Sequence, residues 1–446
     1  MDTAPDPGDN PGPTAADAVV LGAGISGLVS ASILHRQGAR HVVVLDEYPH
    51  VGGNHIDHHA GGYTFDVGSL VFQDDSPLVA HFPEVLPRYT EIDPSWGKLT
   101  PQGTIARYPF SVRQDVLAAG AVECARIGLS VARARLRRRP LETAGDFARY
   151  WIGPRLLRRS GLENYMERFC GLPADRIDLN FARQRMLWIS EHARLGNVAR
   201  LLRIAREENV PEVRTNTQLA RPQAGFAHLY EPAVERLERS GTEFRLGTRT
   251  QRVRRDGDGF VVEHEGGAIR AGRVISTIPV DRARELCGIP AQQPLPTVTL
   301  VSLYYSFAGD RGFTDPILYN FSHSGAWKRL TVYSDFYRRA HGREYFGVEV
   351  ITGPSVRTPA DADTDFRRHT MDNGLFTGDL RLEGEHVLDH AYPIYTGGAA
   401  DRAAGAVAEL RRFGLESFGR QGAFEYQPTA RVSTVHAERA LGATTV

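Results

Sequence analysis

The stretch Ala18–Asp46, AVVLGAGISGLVSASILHRQGARHVVVLD, decides the fold of this chain. Val19 to Leu21 read as a short buried strand, Leu28 to Arg36 as helix, and Val42 to Leu45 as a second strand. Between the first strand and the helix stand Gly22, Gly24 and Gly27, a G-x-G-x-x-G turn. The three glycines have separate duties. Gly22 permits the tight turn, Gly24 lets backbone approach a pyrophosphate, and Gly27 lets the helix lie close to the strand. Ile25 and Ser26 sit at the head of the helix, where unpaired backbone N–H groups and the helix dipole favour phosphate oxygens. Asp46, with Glu47 beside it, closes the second strand, where a carboxylate accepts ribose hydroxyls. The glycine triplet alone is weak. Flanked by strand and helix, with an acid about 20 residues on, it specifies a dinucleotide-binding unit.

A second glycine pair narrows the nucleotide. Gly52-Gly53, in VGGNHID (Val51–Asp57), resembles the second glycine motif of FAD proteins. It lets backbone approach the other side of the pyrophosphate. The cofactor is therefore read as FAD, with Asn54 and His55 as further contacts. No later G-x-G-x-x-G follows a strand, which argues against a separate NAD(P)H domain.

The 446 residues suit two or three domains. A formal net charge of +0 exerts no global pull toward nucleic acid or membrane. Cys124, Cys170 and Cys287 form neither C-x-x-C nor a disulfide framework, which fits a reducing cytoplasm. No apolar run is long enough to span a bilayer. The start, MDTAPDPGDNPGPTAAD, lacks the basic and apolar parts of a signal peptide and reads as a disordered tail over 1–16. His50, His55, His58 and His59 cluster without partners at helical spacing, so no metal site is expected. The basic run ARARLRRRP (Ala132–Pro140) reads as a solvated helix end; nucleic acid, an acidic lipid surface or a polyanionic substrate are the alternatives.

The expected architecture is α/β and interleaved. Residues 17–100, 222–290 and 403–446 form a discontinuous, Rossmann-type FAD-binding domain of the glutathione-reductase kind. Residues 101–221 form a helical substrate region, and 291–402 the mixed sheet of a substrate domain. DGDG, Asp256–Gly259, predicts a hairpin. The strand ending Val274–Pro279 is expected beside the cofactor.

This layout resembles the FAD-dependent superfamily of UDP-galactopyranose mutase, protoporphyrinogen oxidase and the flavin amine oxidases. Several segments, in the family's order, are similar to its mutase-like branch: VGGNHID, RYPFS (Arg107–Ser111), ENYMERFCGLPADRIDLNFARQR (Glu163–Arg185), HAYPIYTGG (His390–Gly398) and FGRQGAFEY (Phe418–Tyr426). The resemblance implies that Gly419 and Arg420 approach the FAD. It implies that Arg185 and Arg329 hold a substrate diphosphate, to which the guanidinium fork is suited. Tyr392 and Tyr395 would line the site over the flavin.

The departures are equally specific. Where the branch has Gly-Ala-His-Ile-Phe-His, this chain has GSLVFQ (Gly68–Gln73), without either histidine. Phe169 replaces a tryptophan, YPIYT lacks the Asp of the Tyr-Pro segment, and EYQPTARV replaces the closing Tyr-Asp-Met element. The resemblance thus implies a FAD-dependent enzyme acting on a small molecule of sugar or sugar-nucleotide type, with a different substrate from UDP-galactopyranose. The alternative is an oxidase or desaturase taking hydride from an amine- or hydroxyl-bearing carbon, and a third reading is a non-catalytic flavin protein. Homodimers are common in such folds.

Overall fold

The computed structural model describes residues 14–68, 71–137, 140–186, 189, 216–290 and 293–443, with Gln184 and Arg185 as backbone only. The basic run and the GSLVFQ segment are therefore described in part. The far end of the helical region falls outside the described residues.

The first sheet is built from widely separated pieces of chain. Strands Thr14–Leu21 and Val42–Asp46 pair in parallel, and Thr242–Leu246 adds to the outer edge of the second. On the other side Thr14–Leu21 pairs in parallel with Gly267–Ser276, which continues antiparallel into Gly259–His264 and Thr250–Asp256. The hairpin expected at Asp256–Gly259 is present, with Asp256 opposite Gly259. Val19, Val20, Val43 and Val44 are fully buried because both faces are covered. Helices Ile25–Arg36 and Phe226–Arg239 pack on one side, Val280–Leu286 and Ala399–Phe413 on the other.

The second sheet runs, in spatial order, Phe376–Pro393, Thr297–Arg311, Glu344–Ile351, Trp327–Val332, Ile317–Asn320, Trp96–Leu99 and Ile105–Arg107. It is mixed, since Ile317–Asn320 and Trp96–Leu99 are parallel and its other pairs antiparallel. Helices Ala121–Leu136, Ala144–Ser160, Leu162–Cys170 and Leu179–Arg185 form the helical layer beside it. The fold is thus α/β: a Rossmann-type nucleotide unit interleaved with a helical region and a mixed sheet.

Three expected edges move. Residues 14–16 are strand, held by pairing with Ile269, Arg270 and Ala271, so the tail expected over 1–16 does not reach that far. Trp96–Leu99 belongs to the second sheet, although residue 100 was the expected boundary. The helical stretch 101–221 also contains strands Ile105–Arg107 and Gln218–Ala220; the latter pairs with Phe72–Gln73 and Thr90–Ile92. Ile105–Arg107 is the return arm of a local hairpin with Trp96–Leu99, whereas Gln218–Ala220 owes its conformation to distant partners, a signal no local window carries.

Candidate active site

The two glycine turns meet face to face. Gly24 bridges Gly52, and a Cβ on Gly53 would stand 3.1 Å from the Gly24 Cα. Gly22 (φ 101°), Gly52 (φ 100°) and Gly53 (φ 63°) all occupy the left-handed region that side chains resist. Gly27 has an ordinary φ, but its Cβ would collide with the Gly22 carbonyl oxygen. That contact closes the turn and seats the helix. Thr277, at the end of its strand, donates its N–H to the Leu21 carbonyl (2.8 Å) and its hydroxyl to the same oxygen (3.1 Å).

Asp46 takes the Ala23 N–H at 2.6 Å and the Tyr48 N–H at 2.9 Å. Its carboxylate is thereby fixed against the turn, although burial raises its pKa. Glu47 is exposed and faces Arg282 at 3.8 Å, so it does not join the turn. Gly419 (φ 93°) closes the far side, where a Cβ would meet the Ser26 hydroxyl at 3.0 Å.

Asn54 and Arg420 converge on one carbonyl. The Asn54 amide donates to Ala391 O at 3.0 Å, and Arg420 Nη2 donates to the same oxygen at 2.6 Å. Among the described residues no carboxylate pairs with Arg420, and burial lowers its pKa. A partly buried guanidinium beside a cradle that any Cβ would fill suits a dinucleotide pyrophosphate. His55 Nδ1 lies 2.6 Å from the Tyr230 hydroxyl, and its ring stacks on Phe226 and Tyr230. Burial, with the Arg420 charge and His50 adding to it, pushes its pKa down to about 3, so the imidazole is neutral. These residues fit FAD. Gly22, Gly24, Gly27, Gly52 and Gly53 would admit the pyrophosphate, Ile25 and Ser26 would present helix N–H groups to it, and Asp46 would hold the ribose. Asn54, His55, Gly419 and Arg420 would line the remainder.

The substrate-side residues form a second cluster. On the strand Trp327–Val332 the register with Glu344–Ile351 slips between Trp327 and Arg329. This one-residue bulge accompanies two successive cations meeting the same carboxylate. Lys328 Nζ lies 2.7 Å from Glu349, and Arg329 Nε donates to Glu349 at 2.8 Å while its Nη2 bonds the same oxygen. Glu349 is 5% exposed. Burial raises its pKa, but Arg329 and Lys328 outweigh that and hold it below the usual carboxylate value. Lys328 also donates to the Tyr392 hydroxyl (3.1 Å), which donates in turn to the Phe169 carbonyl (3.0 Å).

In front of this cluster lies an aromatic hollow lined by Tyr108, Tyr165, Met166, Phe169, Phe181 and Met186, among others. Phe169 stacks on Tyr392, and Lys328 sits over both rings. Tyr319 stacks on Tyr108 with centroids 4.0 Å apart and carries Arg329 above its face. Tyr395 stacks on Phe181, so it lies behind the hollow's wall. The Arg185 backbone ends its helix; its side chain is outside the described residues. Glu344 and Glu349 share a strand but face different partners: Glu344 meets Arg311 and Arg339.

Sequence reading missed Lys328. Strand alternation puts residues 328 and 329 on opposite faces, and only a bulge reconciles them. The hollow was also missed, because its rings come from separate segments, Tyr108 on one side and Tyr165, Phe169 and Phe181 on the other. The available signal was the density of Tyr and Phe around RYPFS and ENYMERF.

Comparison with known proteins agrees with this geometry. The family "NAD(P)-binding Rossmann-like domain" matches residues 20–84, and "Flavin containing amine oxidoreductase" matches residues 126–339. The prolycopene isomerase of Arabidopsis thaliana is 51% identical over 55 residues, 12% of this chain. That match spans only 9% of the length of the curated relative. A reduced UDP-galactopyranose mutase superposes with a TM-score of 0.78 at 16% identity, covering 96% of this chain and 94% of that one. A protein of Exiguobacterium sp. assigned as a protoporphyrinogen oxidase gives 0.71 at 16% identity, covering 96% and 98%. At such identities the likeness is one of fold. The two family matches are what assign the chain to the flavin-containing amine oxidoreductases, and with the glycine cradle they fit an enzyme that works with a flavin.

Proposed function

We propose that this chain is a mutase-like flavoenzyme whose substrate is a small, ring-bearing anion of the sugar-nucleotide type. The observation that carries this reading is the arrangement of two cations and one carboxylate behind an aromatic wall. Lys328, Arg329 and Glu349 sum to one positive charge, partly buried and therefore weakly screened. Stacked rings in front accept a planar or sugar ring, and the net cation attracts phosphate oxygens. The bound FAD supplies the bond-making and redox chemistry. The protein's share is positioning. Tyr392 anchors Lys328 to the helical layer through the Phe169 carbonyl, and burial keeps its hydroxyl protonated. The wall of Tyr108, Tyr165, Phe169 and Phe181 keeps water from the substrate.

One observation favours a second reading. Arg329 already gives two N–H groups to Glu349, so a substrate diphosphate would have to compete for it. An oxidase or desaturase acting on a neutral or singly charged substrate needs no such exchange. The anaerobic visible spectrum separates the two. Turnover of a sugar nucleotide only after chemical reduction of the flavin is expected. Direct bleaching of the oxidised band by an amine or alcohol would overturn the mutase-like reading in favour of the oxidase.

A further inference from the structure

The helix Ala121–Leu136 carries an apolar stripe on its outer face. Val122, Leu129 and Leu136 are 67%, 51% and 81% exposed, and among the described residues no other element carries three such exposed large aliphatic side chains. With Ala125 and Ala132 they recur at i, i+3, i+7, i+10 and i+14, an arc of about 80° on a helical wheel. Arg126, Arg133 and Arg137 line one flank of that arc and are also exposed. The opposite face is what binds the helix to the protein. Ile127 is buried in the helical core, Gly153 of the next helix lies so close that a Cβ there would stand 2.9 Å from the Val131 nitrogen, and Glu123 is tied to Arg155. The one acidic residue of the helix, Glu123, is held by Arg155 and lies 3.8 Å from Arg126, so Arg133 and Arg137 are the cations of the outer flank without a carboxylate partner among the described residues.

We propose that this face docks the enzyme on an anionic lipid bilayer, with the helix lying in the interface plane. A helix that is basic on one flank and aliphatic along its outer stripe is the composition that buries side chains at the acyl boundary while its arginines meet lipid phosphates. Charge decides against the other occupants. A second copy packed stripe to stripe would oppose arginine rows without a carboxylate between them. Nucleic acid would satisfy the arginines but leave three aliphatic side chains without a partner. The proposal is independent of the substrate reading above.

The test is flotation of the full-length, FAD-loaded protein with vesicles of phosphatidylcholine alone or of phosphatidylcholine mixed with anionic phosphatidylglycerol. Binding to the anionic vesicles is expected, weakened by 0.5 M salt, the screening length falling to roughly 4 Å. Arg133→Gln should weaken it about fivefold. The double variant Leu129→Ser/Leu136→Ser should abolish it while retaining FAD, since both residues are exposed. Equal binding to neutral vesicles, or unchanged binding by the double variant, overturns the proposal. So does a dimer that the double variant dissociates, or retention on DNA with no binding to vesicles.

Discussion

Replacing Gly27 by alanine tests the cofactor cradle at its tightest point. The new Cβ would lie inside the van der Waals surface of the Gly22 carbonyl, with the carbonyl carbon at 3.0 Å. Gly22 is pinned on its other side: its N–H donates to Leu45 O at 2.7 Å, and Thr277 packs against it. The turn cannot retreat, so the helix Ile25–Arg36 must lift. Lifting moves its first N–H groups away from the Gly24–Gly53 floor, which approaches to van der Waals distance. Losing one hydrogen bond to a phosphate costs about 1.5–3 kcal/mol, which is roughly a 10- to 150-fold weaker FAD Kd. The assay is reconstitution of the stripped protein with FAD, followed by flavin fluorescence. Gly405→Ala is the control, because nothing lies within 4 Å of its Cβ. An alanine variant at residue 27 that binds FAD as tightly as the wild type would refute the reasoning, since the helix would then not be seated by that contact.

Three further outcomes are expected. Glu349→Gln leaves Lys328 and Arg329 crowded and uncompensated, and should cost about 3–5 kcal/mol in urea unfolding at pH 7. The wild-type contribution of Glu349 is present above pH 4.5 and fades as pH falls through its lower folded value, so the gap between the two proteins should narrow in acid. His55 is neutral in the fold with a pKa of about 3 but takes a proton near 6.5 when unfolded, so stability should be lost progressively as the pH is lowered from 6.5 toward 3. His55→Gln should remove this slope, and an unchanged pH profile of the melting temperature would count against a buried neutral imidazole. Lys328→Met abolishes the net positive charge of the cluster and should lower kcat/KM for an anionic substrate about 10- to 150-fold with FAD still bound; unaltered turnover would remove Lys328 from the site.

What could be read from the sequence follows the range of the interactions. The nucleotide unit was legible because its determinants are local: turn, helix head and acid lie within Gly22–Asp46. Gly52-Gly53 and Gly419 were legible only through resemblance, and the structure brings both against the first turn. Lys328 was hidden, because a bulge changes which face a residue takes without changing the alternation around it. Tyr319, between Arg329 and Tyr108, was hidden because its importance arises from cross-strand register. Tyr395, which the resemblance places over the flavin, stacks on Phe181, and its carbonyl accepts the Asp178 N–H at 2.7 Å, contacts that no local pattern announces.

The order of strands in the nucleotide sheet carries a consequence for biogenesis. Its central strand, Thr14–Leu21, is flanked by Val42–Asp46 and by Gly267–Ser276, and the sheet is completed by Glu416–Ser417. During synthesis at roughly 5–20 residues per second the first strands therefore wait on the order of ten seconds or more for their partner. In that interval the apolar edge of Val19–Leu21 is open to other chains. If Gly419 and Arg420 line the cofactor as expected, FAD would be fully seated only after they have emerged, late in folding. Growth conditions that limit flavin should lower the yield of soluble protein rather than merely its colour.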